Sequence, residues 1–267
     1  MTENTRTVFS VDARGTAFID DTMMLFTDSS ERLVATFADM LDSGRPRLVV
    51  TPNVDQVLRI GRDSHARHVF ESAHLRVVDG MPLVALLRML GCPTPQRNTG
   101  ADLLPLLAGM SAARGWVIAI VGGGEGVAGR AAEALSQGNP GASVTAVDMP
   151  MLTSPDDPAG RAAVDALCAI SPDFVFLCMG FPKQESWFLH WQELLPGGIY
   201  LGTGAAVDFA AGTVQRAPRI LQRVGLEWAF RLAQEPRRLA RRYLVEGPGF
   251  MGVVVASMHR RRRTRSR

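Results

Sequence analysis

Short apolar runs alternate with longer stretches whose apolar positions recur at a spacing near 3.6, and this alternation continues through most of the chain. The runs at 47–51, 75–78, 116–121, 143–147, 173–179 and 198–201 read as strands. Those at 173–179 and 198–201 break into glycine-containing polar loops, which marks a buried parallel strand. Between the runs, residues 31–41, 82–90, 103–113, 127–135, 159–170 and 184–194 carry helical spacing. Pro82 and Pro158 fall at helix starts, where a missing N–H costs nothing. The pattern predicts an α/β fold, Rossmann-like and doubly wound, with a mostly parallel sheet. Past Pro218 it changes. Residues 220–233 and 237–244 look helical with an interruption at Pro236, and form a basic helical appendage. The expected organisation is a core over 1–218 and an appendage with an arginine-rich tail over 219–267, poorly ordered beyond about Gly247.

Composition sharpens this picture at one end only. With 267 residues and 46 % hydrophobic content the chain is long enough for one large α/β unit and a small addition. The net charge is +3, but from Arg219 onward thirteen arginines face three glutamates, a local +10 that leaves −7 on the preceding residues. The basic end therefore predicts an anionic partner: a membrane surface, a lipid diphosphate or nucleic acid. Three cysteines without metal-ligand or CxxC spacing fit buried thiols in a reducing cytoplasm. No signal-peptide pattern opens the chain, and no apolar run approaches the roughly 20 residues of a spanning helix. The run at 250–258 is followed by clustered arginines, which suits adhesion to a surface.

Several strand-end loops carry candidate chemistry, each with a plainer alternative. Gly122, Gly123, Gly124 and Glu125 lie between a strand and a helix, where backbone N–H groups can cradle a diphosphate or simply make a tight turn. Gly124, Gly126 and Gly129 also satisfy the dinucleotide fingerprint, with Asp148 at the expected distance, so an NAD(P)-dependent oxidoreductase using this loop is the alternative reading. Asp79 ends a buried strand and suits either a general base or a helix N-cap. Thr51 and Asn53 suit a hydroxyl or phosphate, or a turn and cap. Arg97 offers a bidentate anion contact or a surface charge. Lys183 is the only lysine beside 28 arginines and sits in a strand-end loop with Gln184. Gly204 and Asp208 belong to a second glycine-rich segment that fits close approach of a ligand. The five histidines are scattered, so no metal site is expected.

Taken in order, TPN at 51–53, VVDGMP at 77–82, RNTGADLLP at 97–105, the VGGGEGVAGRAA loop, PDFVFLCMGFPKQE at 172–185, GTGAAVDFAAGTVQRAP at 202–218 and LEWAFRLAQEPRRLARRYL at 226–244 resemble the WecG/TagA/CpsF glycosyltransferases. The resemblance covers about residues 45–250. It implies an inverting, metal-independent enzyme without a cofactor, moving a hexose or N-acetylhexosamine from a UDP-sugar to a sugar on undecaprenyl diphosphate. It implies Asp79 as the base and Thr51, Asn53 and Gln184 as sugar-pocket residues, with Arg97 close by. Arg231, Arg238 and Arg241 would come from the appendage to engage diphosphate. The resemblance further implies a cytoplasmic protein, peripheral on the anionic inner face of the plasma membrane, with no nucleic-acid partner. Its oligomeric state is left open, a homo-oligomer included.

Overall fold

The computed structural model describes residues 7–265 except Val224, and their side chains except those of Arg223, Arg238, Thr264 and Arg265. The described residues open with an antiparallel meander of β1 (Phe9–Val11), β2 (Ala17–Ile19) and β3 (Met23–Leu25). The main sheet contains β4 (Pro46–Val50), β5 (Leu75–Arg76), β6 (Val117–Gly122), β7 (Ser143–Val147), β8 (Phe174–Cys178) and β9 (Gly198–Gly202), all parallel, in the order β5-β4-β9-β8-β6-β7. All six strands expected from the sequence are present. The meander adds to the β5 edge through a parallel bridge between Phe26 and Val77.

Alternate residues of each strand face opposite cores. Leu48, Val50, Val175, Leu177 and Tyr200 pack with Leu83, Leu87, Leu167 and Trp187. Val49, Ile118, Phe174, Phe176, Ile199 and Leu201 pack on the other side with Leu33, Phe37, Leu107 and Leu135. Every residue of β8 and β9 is buried, which explains why these two strands gave the clearest apolar runs.

The helices of the core are α1 (Ser30–Leu41), α2 (Val54–Ile60), α3 (Ser64–Glu71), α4 (Met81–Leu90), α5 (Gly100–Arg114), α6 (Val127–Gly138), α7 (Pro158–Ile170), α8 (Lys183–Trp191) and the short α9 (Ala206–Ala210). Helices α2 and α3 escaped the periodicity argument because each spans only about two turns. Their signals are local: Asn53 and Asp63 accept hydrogen bonds from Gln56 N–H and from His65 and Ala66 N–H as N-caps.

Beyond Pro218 come α10 (Arg219–Arg223), α11 (Glu227–Gln234), α12 (Pro236–Ala240), a π-helical turn (Arg241–Glu246), a 3₁₀ turn (Gly247–Gly249) and α13 (Phe250–Arg265). Contrary to the expectation of poor order after Gly247, α13 packs on β1 and α4. Phe250 and Val253 enter the core, and the Phe9 N–H donates to Ser257 Oγ at 2.9 Å. Arg260 pairs with Asp21, and Arg261 donates to the Met89 carbonyl. The C-terminal segment thus closes the fold against the N-terminal meander. Ser257 is fully buried and its hydroxyl also donates to Val253 O, so Ser257→Ala leaves the Phe9 N–H without its acceptor. The expected loss is about 1–3 kcal/mol, read as a lower urea midpoint at unchanged slope.

Candidate active site

Register places the strand ends together. Val50 pairs with both Arg76 and Gly202, Gly202 with Leu177, and Cys178 with Gly122, so β4, β5, β9, β8 and β6 end along one edge. Loops leaving that edge frame a cleft of about 720 Å³, the expected ligand position in an open α/β sheet. Thr51, Asn53, Asp79, Arg97, Gly123, Gly124, Lys183, Gln184, Gly204, Asp208 and Arg231 all line it.

Asp79 follows β5, and its backbone N–H is held by Pro52 O at 2.9 Å. The N-cap reading fails here, because Gly80 occupies the cap of α4 at φ 97° and no side chain caps the helix. Gly80 adopts a conformation that a β-carbon would strain, and the turn it makes leaves the Asp79 carboxyl facing the cleft. Burial pushes that carboxyl up to about 7; Arg97 opposes the shift, while Glu227 and Asp102 reinforce it. Asp79 is thus poised to take a proton near neutral pH.

Arg97 is not a free surface charge. Its guanidinium meets Glu227 Oε2 at 2.8 Å, Gln222 Oε1 at 3.3 Å and Asp102 Oδ2 at 3.6 Å. Two of these partners come from beyond Pro218, so Arg97 ties the appendage to the wall carrying Asp79. Arg216 completes the lattice through Asp102 Oδ1 at 2.6 Å. Burial alone would raise Asp102, but hydrogen bonds from Arg216 and Thr99 win and hold it below its ordinary value.

On the neighbouring strand the Thr51 hydroxyl donates to Gly202 O at 3.0 Å, which leaves its oxygen to accept from a ligand. Asn53 does serve as a cap, as its plainer reading required, yet its Oδ1 also receives Arg242 Nη2 at 3.4 Å. Gln184 is buried beneath the pocket floor, with Oε1 accepting from Gly180 N–H at 3.1 Å. Lys183 is exposed and reaches Met151 Sδ at 3.7 Å. Gly204 stands at φ 52° with open space beside it, and the Asp208 carbonyl secures the following turn by accepting from Thr213 N–H.

Arg231 and Arg242 supply the cation lining. Glu227 and Arg231 share one face of α11, at i and i+4. Arg231 lies over the Phe209 ring and Arg242 pairs with Asp55 at 3.7 Å, while the Nε of each is buried without a hydrogen-bond partner among the described residues. Arg242 lines the cleft and Arg241 does not. The π-helical turn sets the register so that Arg241 lies 84 % exposed, paired with Glu246 at 3.1 Å. Arg238 belongs to α12, and its side chain lies outside the described residues.

The glycine loop divides. Gly123 and Gly124 reach the cleft, while Gly122 ends β6 and Glu125 is an exposed residue outside the cleft lining. The dinucleotide fingerprint loses its physical basis at Gly129: it sits within α6, and a β-carbon added there meets nothing within 4 Å. Its third glycine is supposed to permit close helix–strand packing, and here it permits none. His65 is engaged by Ser186 Oγ at 2.8 Å, and among the described residues no three His, Cys, Asp or Glu side chains gather as a metal-ligand set. Among the described residues no helix is long and apolar enough to cross a membrane.

A doubly wound parallel sheet with a raised carboxylate at a strand end, and with Arg231 and Arg242 of the C-terminal segment lining the same cleft, defines a Rossmann-like α/β protein. The family described as glycosyl transferase WecG/TagA/CpsF matches residues 23–264, and this chain belongs to it. The chain is also 25 % identical over 224 residues, 84 % of its length and 83 % of the relative's, to an N-acetylglucosaminyldiphosphoundecaprenol N-acetyl-beta-D-mannosaminyltransferase of Bacillus spizizenii.

Proposed function

We propose that this protein is an inverting, metal-independent glycosyltransferase that moves N-acetylmannosamine from its UDP conjugate to N-acetylglucosamine on undecaprenyl diphosphate, a step in surface-polysaccharide synthesis. The sugar and acceptor follow the printed activity of the Bacillus relative. The observation that carries the reaction class is Asp79, a carboxylate raised to about 7 inside a cleft also lined by Arg231 and Arg242. Asp79 accepts the proton of the acceptor hydroxyl as that oxygen attacks the anomeric carbon. The bond from this carbon to the UDP oxygen breaks on the opposite face, and the electron pair leaves with UDP. Arg231 and Arg242 supply positive charge to that leaving group, the role a divalent cation fills elsewhere. Thr51, Asn53 and Gln184 hold the sugar, while Gly123, Gly124, Lys183, Gly204 and Asp208 complete the donor pocket.

The appendage also favours work at a membrane. Ile220, Leu226, Trp228, Leu244, Val245, Met251 and Val255 are exposed on segments rich in arginine, the combination that adheres to an anionic lipid surface. In this reading the protein sits on the inner membrane face, where its acceptor resides.

The test is UDP release by the full-length protein across a panel of UDP-sugars, with and without a polyprenyl-diphosphate-linked N-acetylglucosamine. Release is expected from UDP-N-acetylmannosamine, only with acceptor, and undiminished by EDTA. Strict dependence on added Mg²⁺ or Mn²⁺ overturns the metal-free assignment. Silence from folded protein with a competent acceptor overturns the donor and acceptor assignment.

A further inference from the structure

Beneath the pocket floor lies a second acid that the transfer reaction does not use. Glu185 is fully buried in the first turn of α8, directly after Gln184. Its Oε1 accepts from Gln184 Nε2 at 2.8 Å, whereas Oε2 has no hydrogen-bond partner among the described residues. The orientation of the Gln184 amide follows from chemistry. Gly180 N–H is a donor in every circumstance, so the amide oxygen must face it and the nitrogen must face Glu185. One proton of Nε2 goes to Glu185, and the second is left for the cleft that Gln184 lines.

An ionised Glu185 leaves a charged oxygen bare in a fully buried site, which is strongly unfavourable. Burial pushes its carboxyl up to about 7, with the Gln184 amide pulling only partly the other way. The space is also closed from β9: a β-carbon on Gly202 comes within 2.4 Å of Glu185 Oε1 and 2.6 Å of Gln184 Nε2. The end of β9 therefore needs glycine for this pair to lie flat beneath the floor.

We infer that Glu185 is a positioning residue, protonated up to neutral pH, and that it turns Gln184 so that an N–H faces the sugar pocket. The substrate feature this selects is an acceptor oxygen, a hydroxyl or an acetamido carbonyl, at the site beside Gln184. A neutral acid achieves the orientation without placing a second negative charge behind a site that takes up a diphosphate. This rests on reading the cleft as a sugar-nucleotide site, but its first test does not depend on turnover.

That test is the infrared difference spectrum between wild type and Glu185→Gln at about pH 6, below the raised value that burial gives an acid. A carbonyl band of a protonated carboxylic acid, lost in the variant, is expected. A carboxylate band in its place overturns the inference even if the enzyme is fully active. If no UDP-sugar is turned over, the functional reading fails while this spectrum still reports on Glu185.

Kinetics provide the second arm. Glu185→Gln keeps a neutral acceptor beside Gln184 and should hold the donor KM within about threefold of wild type. Glu185→Leu and Gly202→Ala should raise it roughly tenfold with a smaller change in kcat, the size expected for one misplaced hydrogen bond. Equal losses in Glu185→Gln and Glu185→Leu, or a loss confined to kcat, overturn the positioning role.

Discussion

Replacing Asp79 with Asn is expected to reduce sugar transfer by about 10²–10⁴-fold, the usual worth of a positioned general base, with donor binding nearly intact. The two side chains have the same shape, so the cleft persists while the proton acceptor is lost. The wild-type pH profile reports on the same group. A base raised to about 7 is mostly protonated a unit below that value, so kcat/KM should climb with pH and level off above about 7. Asp79→Asn should lack this limb.

Stability moves in the opposite direction. The folded state raises the Asp79 value above that of the unfolded chain, so it binds the proton more tightly. The stability linked to this group is fully present below the unfolded value, near 4, and is lost progressively as pH rises to about 7. Asn cannot ionise. The variant should therefore exceed wild type above pH 7 by about 2 kcal/mol, a figure reduced from the full linkage because the carboxyl opens onto the cleft. A variant that keeps most of its activity would remove Asp79 from the mechanism, whereas one both inactive and less stable at alkaline pH would point to damaged packing. Urea titrations at two pH values, beside the kinetics, decide between these outcomes.

The second large effect is expected from the cleft arginines. Arg231→Ala and Arg242→Ala should each lower kcat by about 10²-fold, because in the proposed reaction each supplies positive charge to the leaving group. Lysine should restore little, since it cannot reproduce the planar guanidinium fork. Arg241→Ala provides the contrast. Its side chain is 84 % exposed and meets Glu246, so turnover in detergent should change little, and any loss should appear only as weaker binding to anionic vesicles. If Arg241→Ala abolishes turnover in detergent while Arg242→Ala does not, the register of the π-helical turn is wrong for the active enzyme. Point variants are preferable to cutting the chain after Gln222, because that truncation removes α13 and its packing on β1 and α4 as well.

Much of the core was legible because its signals are local. The central strands β8 and β9 announce themselves as apolar runs, since a parallel sheet covered on both faces admits few polar side chains there. Asp79 could be singled out for a related reason: a carboxylate at the end of such a run has few structural uses. The sequence left its two uses open, and the backbone at Gly80 removed one by taking the cap position itself.

Other features depended on partners distant in sequence. Ser257 gives no sign in the sequence that its hydroxyl will receive the Phe9 N–H, 248 residues away. The meander was equally hidden, because three-residue strands are too short to show a period. Glu185 reads as a helix-start acid until β9 lays Gly202 against it and closes the space. Arg242 cannot be preferred to Arg241 from spacing, because a π-helical turn shifts the register that an α-helix would keep.

By itself, then, the sequence determined the parallel α/β core, the loops at its strand ends and the basic C-terminal segment, because periodicity, glycine placement and charge are properties of neighbouring residues. Only the tertiary structure decided which arginines lie near Asp79, which acid is buried against Gln184 and where the last helix docks. Those outcomes depend on burial and on groups brought together from opposite ends of the chain, and no local pattern encodes either.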